Sequence, residues 1–99
     1  MRKIILSKRA GKQLEKLLGY LETEWSLNVK REFIKKLDKS IYQTQKYPDS
    51  SPQSEIIKGL HKHVVTKQTT LYYKFDNESV SVLSIFDNRM DPKRIKKEI

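Results

Sequence analysis

From Ala10 the apolar residues return at steps of four, three, four and four: Ala10, Leu14, Leu17, Leu21 and Trp25, with Leu18 alongside. That spacing predicts one amphipathic helix whose stripe faces a core. Ser7 stands ahead of it as a candidate N-cap, without the Glu three residues on that would complete a capping box. Gly11 and Gly19 fall inside, each costing about 1 kcal/mol against Ala, and the stripe outweighs them. After a short break at Ser26-Leu27-Asn28 a second stripe runs through Val29, Phe33, Leu37 and Ile41, with Ile34 beside it. This helix should stop before Pro48, because the residue ahead of a proline is pushed out of helical space. Two such helices joined by about three residues form an antiparallel hairpin. Each stripe is only about two heptads long, so core packing explains it better than a coiled coil. Leu14, Leu17, Trp25, Phe33 and Leu37 are the expected contact residues.

Tyr47-Pro-Asp-Ser-Ser-Pro-Gln-Ser54 is rich in turn formers and reads as a loop. Beyond it the period shortens to two. His61 to Thr66, Thr69 to Phe75 and Val80 to Phe86 read as three strands of a meander. Leu71, Tyr73 and Phe75 should point one way, and Thr70, Tyr72 and Lys74 the other. The start, Met1-Arg-Lys-Ile-Ile-Leu6, has too short an apolar stretch for a signal peptide and reads as a first strand. The expected order is strand, helix, helix, strand, strand, strand. That is an α+β domain with a helical hairpin on one face of a mainly antiparallel sheet.

Composition narrows this picture. Ninety-nine residues suit a single domain spanning 1–99, with a basic tail from about residue 90. The absence of cysteine removes disulfides, thiolate catalysis and cysteine metal sites, and fits a cytoplasmic protein. Only His61 and His63 are available as imidazole ligands, so neither a metal nor another cofactor is expected. No apolar run is long enough to span a membrane. The formal charge of +9 exceeds the roughly 2–8 that solubility asks of a small domain. It points to nucleic acid, through counterion release, or to an acidic protein partner, through complementary fields.

Several side chains could carry chemistry, and each also has a plainer role. His61 and His63 alternate with Lys62 and so share one side of a strand. They suit acid–base work, or are solvated surface residues. Arg89 follows the last strand, where a planar guanidinium can grip phosphate or carboxylate, or pair locally with Asp87 or Asp91. Lys30, Arg31, Lys35, Lys36 and Lys39 read as the solvent face of the second helix. Tyr72 and Tyr73 read as sheet packing rather than as base-stacking platforms. Lys93, Arg94, Lys96 and Lys97 form a charged helix end or a disordered one.

Taken together, Leu6-Ser7-Lys8-Arg9-Ala10, Phe33 to Ile41, Lys58-Gly59-Leu60, Leu71-Tyr72-Tyr73 and Ile85-Phe86-Asp87-Asn88-Arg89-Met90-Asp91-Pro92 resemble the RelE/ParE superfamily of bacterial toxins, and more closely its ParE-like branch. The resemblance implies a toxin neutralised by a cognate antitoxin, whose acidic segment would suit this charge. Arg89, Lys93, Arg94, Lys58 and Lys62 are then the candidate partner contacts. It further implies one of two activities. RelE-like members cut messenger RNA in the ribosomal A site without a metal, whereas ParE-like members poison DNA gyrase and need no catalytic residue. In the nucleolytic members two basic residues on the first meander strand, an Arg on the second, an Arg ending the third and a Tyr in the tail serve cleavage. Here those positions fall near His61 and His63, at Thr70, at Arg89 and at Ile95. His61, His63 and Arg89 are thus the catalytic candidates if the chain is a nuclease. Thr70 and Ile95 favour the gyrase reading, and a non-toxic basic nucleic-acid-binding module stands as a third.

Overall fold

Ser7 begins the first helix by accepting a hydrogen bond from the Ala10 N–H at 3.0 Å. It thereby satisfies one of the orphan donors that every helix start exposes. A computed structural model describes residues 1–98, so of the basic tail Ile99 lies outside the described residues. Strand β1 (Lys3–Leu6) leads into α1 (Lys8–Glu24) and α2 (Leu27–Lys46). The meander follows as β2 (His61–Thr66), β3 (Thr69–Phe75) and β4 (Ser79–Asp87), and a short α3 (Ile95–Glu98) ends the description. The sheet order is β1-β4-β3-β2. β1 runs parallel to β4, and the other two pairings are antiparallel. The expected α+β order is the observed one.

The break between the helices is shorter than the sequence suggests. Ser26 caps α2 by accepting from the Val29 N–H at 3.1 Å, which draws Leu27 and Asn28 into the helix. Phe33 and Leu37 are buried as expected, and Leu14 and Leu17 pack half-buried against the same cluster. Trp25 is a correction, since it is 66% exposed. As the C-cap of α1, with φ −118° and ψ −95°, it has left the helix. Its side chain no longer continues the stripe.

Both faces of the sheet are covered. On the hairpin side, Leu71, Tyr73, Val80, Val82 and Ile85 pack with Ala10, Phe33 and Leu37. On the far side, Tyr72 and Phe86 pack with Leu60 and Ile95. A β-bulge makes this division possible. Tyr72 pairs with Ser84 but Tyr73 with Val82, so Leu83 is an extra residue in β4. Beyond it the alternation inverts, turning Ile85 toward the helices and Phe86 away from them. Gln13 secures the inverted stretch, its Oε1 accepting from the Ile85 N–H at 2.8 Å. The Ser7 hydroxyl donates to the Leu83 carbonyl at 3.1 Å.

The tail is ordered, with Ile95 fully buried against the far-side cluster. Gly59, at φ +82°, turns the chain into β2, a conformation that costs an L side chain roughly 1–2 kcal/mol. Among the described residues no helix is long and apolar enough to cross a membrane.

Candidate partner-binding groove

The hairpin outgrows the sheet it covers, and an open apolar groove results. Leu17, Tyr20 and Leu21 of α1, together with Trp25 and Val29, form one wall. Gln68 and Thr69 at the β2–β3 turn, and Ile85 to Met90 around the end of β4, provide the other. The cleft has a volume of about 560 Å³. A second, of about 340 Å³, shares Leu17, Leu21, Val29, Gln68 and Thr69 with it and extends past Phe33 and Lys36. Tyr20, Trp25 and Val29 are 47%, 66% and 39% exposed. A monomer rarely leaves aromatic and branched side chains together in water unless something docks there.

Arg89 stands at the rim of this groove. Its Nη2 lies 2.7 Å from Asp87 Oδ2, and its Nε 3.0 Å from Oδ1. Of the two acids offered by the sequence, Asp87 is the partner. Asp91 instead accepts from the Lys93 N–H. The Arg89 side chain donates to Asp87 and holds its carboxyl below the ordinary value of 3.8, and Asp87 in turn raises the guanidinium. The pair is exposed, and such pairs contribute at most about 1 kcal/mol to folding. A partner's carboxylate can therefore replace Asp87 at small cost.

The histidines stand elsewhere, and neither is the solvated surface residue the sequence allowed. His61 opposes Tyr73 and His63 opposes Leu71, so both face the hairpin side. His61 is buried against the Tyr73 ring at 5.5 Å, and its Nδ1 donates to the Ser51 carbonyl at 2.9 Å. His63 Nδ1 shares a hydrogen bond with the Ser51 hydroxyl at 3.0 Å. Together with the Tyr73 hydroxyl, which donates to the Pro48 carbonyl at 2.6 Å, they pin the 48–54 loop to β2. Sequence reasoning missed this role, because nothing local to His61 announces a loop ten residues earlier.

Thr70 and Ile95 occupy the far side. The Thr70 hydroxyl donates to Asn88 Oδ1 at 2.8 Å, and Ile95 is core. Arg89 leaves the sheet at the Thr69 end of β3, and His61 sits four positions along that strand, roughly 13 Å away. Lys58, Lys62, Lys93 and Arg94 belong to segments around the far-side cluster, away from Arg89. Tyr72 and Tyr73 are buried in the sheet, as packing residues should be. Among the described residues no three His, Cys, Asp or Glu side chains gather as metal ligands would.

Burial lowers the His63 pKa from its ordinary 6.5 by penalising the charged ring. The unfolded chain therefore takes up this proton first. His63 contributes stability in full above about pH 6.5, and loses it as the pH falls toward the folded value. Thermal unfolding should show a midpoint that drops between pH 7.5 and 5.5, and His63→Gln should flatten that slope. Asp76 and Asp87, both held below 3.8, lose their contributions only in more acid solution. Equal slopes in wild type and variant would contradict the burial of His63.

A helical hairpin on a four-stranded sheet, with an apolar groove at one end, is the architecture of small protein toxins that work in pairs with an inhibitor. Residues 4–92 match the family model described as ParE toxin of type II toxin-antitoxin system, parDE, and the chain belongs to that family. Its fold is similar to that in the chromosomal ParDE TA system from P. aeruginosa, with TM-score 0.72, 10% identity, and coverage of 88% of this chain and 96% of that one. The YoeB dimer from Staphylococcus aureus gives 0.61 at 13% identity, covering 86% and 94%. The heterotetrameric YoeB-YefM toxin-antitoxin complex from Staphylococcus aureus gives 0.60 at 13%, covering 87% and 95%. No curated protein matches the chain in sequence.

Proposed function

We propose that this toxin acts by binding DNA gyrase, and that an antitoxin neutralises it by filling the groove beneath Trp25. One observation carries the first half: the positions that nucleolytic relatives use are divided between two faces of the sheet. Cleavage of a phosphodiester needs cations and proton-transfer groups converging on one phosphate. Here His61 and His63 are committed to the 48–54 loop on the hairpin side, while Thr70 and Ile95 stand uncharged on the far side. A surface built that way favours binding over proton transfer. The relatives' assembly into ParDE and YoeB-YefM complexes supports an antitoxin partner, and the charge of +9 suits an acidic one.

Purified toxin incubated with gyrase and plasmid should stabilise cleaved DNA–gyrase complexes. His63→Ala should be nearly silent there, whereas Arg89→Ala should impair the effect by about tenfold or more, as loss of an interface anchor does. The opposite result is A-site cleavage on translating ribosomes by the wild type that disappears in His63→Ala. Removal of one positioned acid–base group costs about 10²–10⁴-fold, so that outcome would be unmistakable. It would replace the gyrase reading by RNA cleavage.

A further inference from the structure

β2 is an edge strand of the sheet, and only half of its outer edge is covered. The Lys62 N–H donates outward to the Pro52 carbonyl at 2.9 Å, and the Ser54 N–H donates to the Leu60 carbonyl. These two bonds flank the bridge between Gln53 and His61 and seal the first half. In an antiparallel pair the outward-pointing residues alternate, so Val64, like Lys62, presents its N–H and C=O away from β3. Among the described residues these Val64 groups meet no partner, and its side chain is 62% exposed. An open edge bearing an exposed β-branched residue is a template for another strand.

We infer that the free half of the β2 edge, from the Lys62 carbonyl through Val64, accepts an extended acid-bearing segment of the antitoxin as a fifth strand. This rests on the reading of the chain as a toxin held by such a partner. Charge selects the occupant. Lys62 and Lys67 flank the edge, so a second copy pairing there would bring two lysines from each chain onto one seam. Like charges facing across a strand pair are destabilising, and edge lysines are a common guard against self-association. The same two lysines attract a segment carrying Asp or Glu. Position supports it as well. The edge ends at Thr66, which lines the second cleft, and that cleft runs into the Trp25 groove. One polypeptide can pair with β2 and continue between the helices and the sheet.

The test uses the toxin coexpressed with the product of the adjacent reading frame. Because the Val64 N–H points out of the sheet, Val64→Pro removes that donor while sparing the β2–β3 ladder. Binding should weaken about tenfold, the value of roughly one backbone hydrogen bond. Val64→Thr, which keeps the N–H, should bind like the wild type. In the unmutated complex the Val64 amide should exchange with solvent more slowly than in free toxin, a measurement that decides the matter even if the proline variant misfolds. Unchanged affinity in a folded Val64→Pro, or unchanged exchange at Val64, overturns strand addition. If Trp25→Ala still weakens the complex, the antitoxin reading survives that failure. Should the neighbouring product not bind the wild type at all, the reading itself fails and strand addition with it.

Discussion

Replacing Phe86 by Ala is expected to destabilise the protein by about 3–5 kcal/mol, the usual cost of emptying an aromatic core site. Phe86 is 2% exposed, and its ring meets Tyr72 edge-on at a centroid distance of 5.7 Å. Leu60 and Ile95 complete the cluster, with Met90 packed half-buried against it. The loss would therefore reach both the segment before β2 and the tail. Against a total stability of about 5–15 kcal/mol, a chemical denaturation midpoint cannot hide such a change. Amide exchange adds a second readout, since Ile95 should lose its protection along with the ring that holds it. A change below about 1 kcal/mol would show that Phe86 does not close the far side, and that the bulge at Leu83 does not turn it there.

Bulge and ring also mark where sequence reading runs out. The strands were legible almost to the residue, because period-two alternation is a local signal and the turn residues at 66–69 and 76–78 bound it. The Leu83 bulge was not. It carries no Gly or Pro, and its cause is tertiary: Ser7 and Gln13 of other elements bind the inverted stretch. Val80 to Phe86 taken as uninterrupted alternation would set Phe86 on the same face as Val80. Ile95 was hidden for a related reason. A lone apolar residue in a run of Lys and Arg reads as incidental until the uncovered far face of the sheet requires a lid.

At the site, residue types were readable and their partners were not. Arg89 had two acids within reach, and the choice of Asp87 follows from Asp91 being occupied by the turn that it caps. The alternation of His61 and His63 correctly placed them on one side. Which side, and what they hold, depended on the return of the 48–54 loop. Trp25 continued the helical stripe in sequence but ended outside the helix. A local pattern cannot tell the last buried position of a stripe from the first exposed one.

That exposed indole gives the other large effect. Trp25→Ala should weaken antitoxin binding by about 30-fold, equivalent to about 2 kcal/mol, as loss of an aromatic anchor does. Stability should hardly move, because surface substitutions of this kind usually stay within about 0.5 kcal/mol, and Trp25 is 66% exposed. The deficit should lie in dissociation, since mutants of one interface differ mainly in off-rate. Salt should act on the other constant. A chain of formal charge +9 draws an acidic partner through its field, so association should slow as ionic strength rises, equally in wild type and variant. Stopped-flow association and dissociation at two salt concentrations separate these effects. An off-rate unchanged by Trp25→Ala would move the antitoxin out of the groove, and a salt-independent on-rate would leave the apolar wall to recruit it alone.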